Sequence, residues 1–192
     1  MGESKPLRSV ETARDAIWTA TQFLYYAWFL HDAVRRGAIT PETFDDEIVE
    51  EGTAALPLRW PREHRTQEDL VRWSWNNVLA AMSISAIAAD SALDDALGPK
   101  PPTSAALSDR DAARVIVYML RCANAHDPLN PRWECRGPYL GVFRINALGF
   151  ELDTTALDGQ PWNIAHVGGV DGYFRLLDYC LKLVAAATRG AG

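Results

Sequence analysis

Residues 115–128 read VIVYMLRCANAHDP. An apolar run enters this stretch and an Asp-Pro pair closes it. Upstream, Ser108 is a residue whose hydroxyl can accept from a free backbone N–H of a first helical turn. Ala112/Ala113, Ile116, Met119/Leu120 and Ala123 then recur at three- and four-residue steps, the spacing of one helix face. The residue before a proline is pushed out of the α region. The stretch therefore predicts a helix from about Asp109 to Ala125, with His126 at or beside its last turn.

Three further long helices are expected around this one. The first runs from about Val10 to Arg36, with Ala13, Ala16/Ile17, Ala20, Phe23/Leu24 and Ala27/Trp28 inward and Gly37 as its stop. Its segment 23–30, FLYYAWFL, is apolar almost all round, which predicts burial on all faces and a partner subunit as well as a core. Residues 38–65 hold Pro41, Pro57, Pro61 and the acidic run DDEIVEEG, and read as a loop with one short helix after Thr40. Thr66 and Asp69 form a capping signature for a helix from about Gln67 to Ala96, with Leu70, Trp73, Val78, Met82, Ile84 and Ile87 apolar. Gly98-Pro99-Lys100-Pro101-Pro102 breaks it. The last helix spans about Asp171 to Thr188, with Tyr173, Leu176/Leu177, Cys180/Leu181 and Val184 inward.

Between the last two long helices the period changes from 3.6 to 2. Residues 141–146, GVFRIN, and 150–153, FELD, alternate across a possible turn at Ala147-Leu148-Gly149. The expected fold is mainly α: a four-to-five-helix bundle forming one domain over residues 1–192, with a small β-hairpin inserted at about 139–158.

Composition narrows the function classes. Apolar residues make 48% and charged residues 23% of the 192, the balance of a globular protein. No apolar run reaches the roughly twenty residues of a membrane span. The N-terminus MGESKPLRSVETARD has neither the apolar core of a signal peptide nor a myristoylation pattern, so the expected localisation is cytoplasmic. Cys122, Cys135 and Cys180 are odd in number and unpaired in spacing, as expected of reduced thiols.

The net charge of −6 disfavours a surface that coats nucleic acid broadly. The charge is uneven. Residues 110–144 carry six arginines against Asp111, Asp127 and Glu134, a local excess of three positive charges around the opening stretch. Sixteen of the nineteen basic residues are Arg, whose planar fork suits phosphate; a genome that favours Arg codons gives the same count.

Within that window Arg121 and His126 form an R-x4-H pair. A guanidinium holds phosphate charge at any physiological pH, and an imidazole moves protons near neutrality. The pair suits attack of an RNA 2′-OH on the adjacent phosphorus, with no metal or other cofactor required. Arg59 and His64 repeat the spacing, but they straddle Pro61 in an expected loop. Five helical positions are about 140° apart, so two copies of the helix across a symmetric interface would bring an Arg and a His together. The plain alternative is a surface arginine and a histidine favoured by the C-terminal helix dipole. Cys122 and His126 share a helix face, and Cys135 could add a third zinc ligand, but no fourth stands out. His31 reads as a core or interface histidine, and His166 as part of a turn before a glycine pair.

A helical bundle with R-x4-H ending its penultimate long helix, followed by LNPRWEC, resembles the HEPN superfamily (higher eukaryotes and prokaryotes nucleotide-binding). The resemblance rests on residues 115–135 and on helix order. It implies a homodimeric, metal-independent endoribonuclease, in some relatives a toxin or phage-defence effector held by an antitoxin or regulatory protein. Arg121 and His126 would be the catalytic pair, Asn124 a helper that orients them, and Arg132 and Arg136 contacts to the RNA backbone. HEPN proteins often carry a polar residue directly after the arginine, where this chain has Cys122; some relatives are non-catalytic modules that bind a partner protein or a nucleotide.

Overall fold

Four long helices and two small hairpins make up the computed structural model, which describes residues 10–44, 48–51, 54–57, 66–98, 100 and 107–189. Helix α1 spans Val10–Arg35. Gly37, at φ +70°, turns the chain away while its N–H returns to the Val34 carbonyl. A left-handed residue here is cheap only for glycine. The short helix expected after Thr40 is a 3-10 turn, Pro41–Phe44.

Strands β1 (Ile48–Glu51) and β2 (Ala54–Pro57) then pair antiparallel, with Ile48 opposite Pro57. The acidic run here was expected to be loop; IVEE lacks the alternation that marks a strand, so its pairing is invisible locally.

Helix α2, Gln67–Leu97, starts where Thr66 Oγ1 accepts from Asp69 N at 3.1 Å. The Gln67 amide donates to the carbonyls of Val34 and Ile39, which joins the end of α1 to the start of α2. Helix α2 is the hub. It buries Ala81, Ser83, Ser85, Ala86, Ala89 and Ala92, small residues that let three neighbours approach closely. Two of its serines fix the arrangement. Ser74 Oγ lies 2.9 Å from His31 Nδ1 on α1, and Ser83 Oγ lies 3.3 Å from Asn124 Oδ1 on α3 (Asp109–Ala125). Nine helical positions separate them, which is about 180° of azimuth. Helices α1 and α3 therefore lie on opposite sides of α2.

Helix α4, Gly169–Arg189, fills the groove beside α1 and α2. Tyr173 is its anchor: buried, it donates to the Met82 carbonyl at 3.0 Å and meets Ser85 Oγ at 3.0 Å. Its neighbours Leu176, Leu177, Cys180 and Val184 are buried as the spacing predicts. Gly172 has no room for a side chain, because a Cβ would clash with the Val167 carbonyl oxygen.

The expected hairpin lies between α3 and α4 as β3 (Val142–Ile145) and β4 (Phe150–Asp153), with Ile145 opposite Phe150. Phe143, Ile145, Phe150 and Leu152 face inward in strict alternation. Asp109, in the first turn of α3, holds the hairpin turn through Asn146 N at 2.9 Å and Ala147 N at 2.8 Å.

The FLYYAWFL segment departs from its expected burial. Leu24 and Ala27 are in the core, while Phe23, Tyr25, Tyr26 and Phe29 are exposed. Only the arc of α1 facing α2 and α4 finds apolar neighbours. On α2, the apolar Ile84 and Ile87 are likewise exposed.

Candidate functional site at the end of the third helix

Helix α3 ends as the sequence predicts. Ser108 Oγ accepts from Asp111 N at 3.2 Å, and His126 is the C-cap residue, still in the right-handed helical region. Beyond Pro128 the chain folds back, and Arg132 N donates to the Ala123 carbonyl at 3.1 Å. Trp133 is buried and donates from Nε1 to His166 Nδ1 at 2.9 Å. His166 also completes a capping box with Asn163. It therefore holds the turn before α4, the plain role the glycine pair indicated.

Arg114, Tyr118, Arg121 and Cys122 follow at steps of four, three and one, so they share one face of α3. Opposite this face lies Asp90 of α2, only 5% exposed. Arg121 Nε is 3.7 Å from Asp90 Oδ2, and Lys100 Nζ is 3.0 Å from Asp90 Oδ1. Lys100 also meets Asp94 Oδ2 at 2.5 Å and sits 4.9 Å above the Tyr118 ring. Arg114 is buried; it donates to Asp94 Oδ1 at 3.2 Å and to the Gly98 carbonyl. Tyr118 packs against Tyr139 with ring centres 5.2 Å apart.

The electrostatics follow from this packing. Burial raises the Asp90 carboxyl above the usual range, with Asp94 adding to the rise; Lys100 first, then Arg121, opposes it. The Cys122 thiol, hydrogen-bonded to Tyr118, is the main cause of a tyrosine pushed up to about 12. Burial, then the nearby Asp158 and Cys122, lifts Cys135 to about 11. All three cysteines are free.

The expected catalytic residues divide. Arg121 is exposed and steered by Asp90. His126 is exposed and makes no hydrogen bond or ion pair among the described residues. About 140° separates the two on the helix, with Cys122 between them in azimuth. Asn124 turns into the core against α2. It is buried, its Nδ2 donates to the Leu120 carbonyl at 2.8 Å, and its Oδ1 faces Ser83. Its amide thus serves the packing of α3 on α2.

Arg132 and Arg136 are exposed on the segment after α3. Arg132 donates to the Gly159 carbonyl at 3.0 Å, and Arg136 pairs with Asp158 at 3.1 Å. Among the described residues no three His, Cys, Asp or Glu side chains gather as a metal-binding set, so Cys122, His126 and Cys135 do not form one. His31 is a satisfied core histidine, wedged between Trp28 and Trp75, with its pKa lowered first by burial. Arg59 and His64 lie outside the described residues.

Asp90, Lys100, Tyr118 and Tyr139 were not singled out from the sequence. The step from Tyr118 to Arg121 and Cys122 was legible as one helix face. Asp90 and Lys100 join it only through the register of α2 on α3. None of the described helices is long and apolar enough to cross a membrane. No family model, curated protein or solved structure matches the chain.

Proposed function

We propose that the protein is a metal-independent, HEPN-like endoribonuclease that leaves 2′,3′-cyclic phosphate and 5′-OH ends, and that it acts as a toxin or phage-defence effector in the cytoplasm. The observation that carries this reading is the end of α3. A solvent-facing His126, with no hydrogen bond or ion pair among the described residues, stands five residues beyond a guanidinium steered by the buried Asp90.

In this reaction His126 takes the proton of an RNA 2′-OH. The 2′-oxygen attacks the adjacent phosphorus, and the bond to the 5′-oxygen breaks. That oxygen departs with the proton returned from the imidazolium. Arg121 bears the charge that grows on the non-bridging oxygens. Lys100 stands on the same side as a second cation. The Tyr118–Tyr139 pair offers a partly exposed aromatic face for an unpaired base, which favours single strands and loops over duplex. Arg132 and Arg136 add sequence-independent contacts to the flanking phosphates.

A second reading has its own observation. Arg121 already has a carboxylate partner and Asn124 is spent in the core, as fits a non-catalytic module that binds a protein or nucleotide. Incubating total RNA with the purified protein in EDTA separates the two, with His126→Ala as the control. The ribonuclease reading expects cleavage by the wild type alone. Intact RNA in both lanes, with a stable complex formed with another protein, favours the module.

A further inference from the structure

We propose that Cys122 and Cys135 are a redox-sensitive pair, which a hydroperoxide joins into a disulfide that fastens the segment after α3 to the helix itself. The three cysteines are free and sit in different settings. Cys180 is sealed inside α4's packed face, its thiol pushed up to about 12 by burial. Cys135 is buried on segment 132–136, and Cys122 is partly exposed on α3. A peroxide arriving from solvent therefore meets Cys122 first.

The course of the chain brings Cys135 alongside it. Beyond Pro128 the segment runs back along α3. Arg132 N donates to the Ala123 carbonyl at 3.1 Å, and farther on the Tyr139 ring packs on Tyr118 with centres 5.2 Å apart. Cys122 lies on the helix between Tyr118 and Ala123, and Cys135 lies on the segment between Arg132 and Tyr139. Burial alternates as in an extended chain: Trp133 and Cys135 are buried, while Arg132, Glu134 and Arg136 are exposed.

The backbone that carries Cys135 is fixed from its other side. Trp133 N donates to the Gln160 carbonyl at 3.0 Å, and Gly159 N donates to the Trp133 carbonyl at 2.9 Å. Cys135 N donates to Asp158 Oδ1 at 3.0 Å. The two sulfurs also sense each other, since Cys122 is among the charges that lift the Cys135 thiol, after burial and Asp158.

The roles follow from these settings. The Cys122 thiolate attacks one oxygen of the hydroperoxide. The O–O bond breaks, the other oxygen leaves as hydroxide or alkoxide, and Cys122 becomes a sulfenic acid. Cys135 then gives up its proton and attacks the Cys122 sulfur. The S–O bond breaks and water departs. The two thiols lose two electrons and the peroxide gains them. A thiol lifted to about 11 is a poor first nucleophile, whereas the second step is intramolecular and draws on proximity. The new bond ties Arg132 and Arg136 to α3, whatever chemistry α3 performs.

Treating the full chain with hydrogen peroxide, followed by tryptic mapping without reductant, tests this. Arg121, Arg132 and Arg136 set the cuts, so the two cysteines fall in separate peptides, 122–132 and 133–136. The expected product is these two peptides joined, and separated again by dithiothreitol. Thiol titration in denaturant should fall from three to one per chain. Cys135→Ala should stop at a Cys122 sulfenic acid that dimedone traps. Cys122→Ser, at a partly exposed position, should fold unchanged and keep both remaining thiols; it carries the test alone if Cys135→Ala does not fold. Peptides that stay unlinked while Cys122 runs on to the sulfinic acid overturn the proposal. So does a link between two chains, or one made through Cys180. The readout is covalent, so it stands or falls separately from RNA cleavage.

Discussion

Asp90 on α2 and Arg121 on α3 meet at 3.7 Å, a buried carboxylate steering an exposed guanidinium. Of Arg121's neighbours among the described residues, Asp90 is the one that fixes where its charge is held. In the proposed reaction Asp90 is a positioning residue: it touches no substrate and acts through Arg121 and Lys100.

Replacing Asp90 should separate activity from stability. Its pKa is raised in the folded state, first by burial, so ionisation costs stability as pH rises through that raised value. Asp90→Asn removes this cost. The variant is expected to be as stable as the wild type or more so at pH 7, with the difference closing below the usual carboxylate range. RNA cleavage should fall roughly 10- to 100-fold from misplacement of Arg121. Urea denaturation at pH 4 and pH 7, alongside single-turnover kinetics, checks both halves. A variant strongly destabilised at pH 7 would contradict the first.

Asn124 predicts the reverse. Its amide is buried against Leu120 and Ser83, so Asn124→Ala removes two buried hydrogen bonds and leaves a void, and should cost about 1–3 kcal/mol of stability. The fraction that remains folded should cleave RNA at the wild-type rate. A variant that is stable yet inactive would show that the amide takes part in the chemistry.

The hairpin should loosen in acid. Asp109 is held below the ordinary carboxylate range, first by the Ala147 N–H and then by that of Asn146. Its contribution is present above the unfolded-state pKa and lost as pH falls through the depressed folded value. Asp109→Asn should therefore expose the 146–147 amides to hydrogen exchange at pH 7. At low pH the wild type and the variant should converge.

Gly172→Ala is expected to disturb the start of α4, since the added methyl carbon would clash with the Val167 carbonyl oxygen. Overpacking of this kind typically costs about 1–3 kcal/mol. A thermal midpoint lowered by several degrees would confirm the contact; an unchanged one would argue that the 3-10 turn at Ile164–Val167 yields easily.

What could be read from the sequence was local. Thr66 and Ser108 announced their helices because a cap needs only a side-chain oxygen and an N–H three residues on. The β3–β4 hairpin was legible because Phe143, Ile145, Phe150 and Leu152 alternate. The β1–β2 pairing was not, because Ile48–Glu51 shows no alternation. FLYYAWFL shows that an apolar count is not burial: which arc of a helix is covered depends on where its neighbours stand. Asn124 carried a signal that its chemistry obscured. It follows Ile116 and Leu120 at four-residue steps, on the buried stripe. The approach of Asp90 to Arg121 spans two helices and is set by packing of the small residues of α2, which no single segment encodes.

The most direct measurement of the central claim uses a defined single-stranded RNA and its fully 2′-deoxy counterpart, each incubated in EDTA with wild type, Arg121→Ala and His126→Ala. The account predicts cleavage of the ribo-oligomer alone, ends carrying a 2′,3′-cyclic phosphate, and rates lowered roughly 10²- to 10⁴-fold for His126→Ala with its thermal midpoint unchanged. Cleavage of the deoxy strand, or equal rates for wild type and His126→Ala, would contradict it.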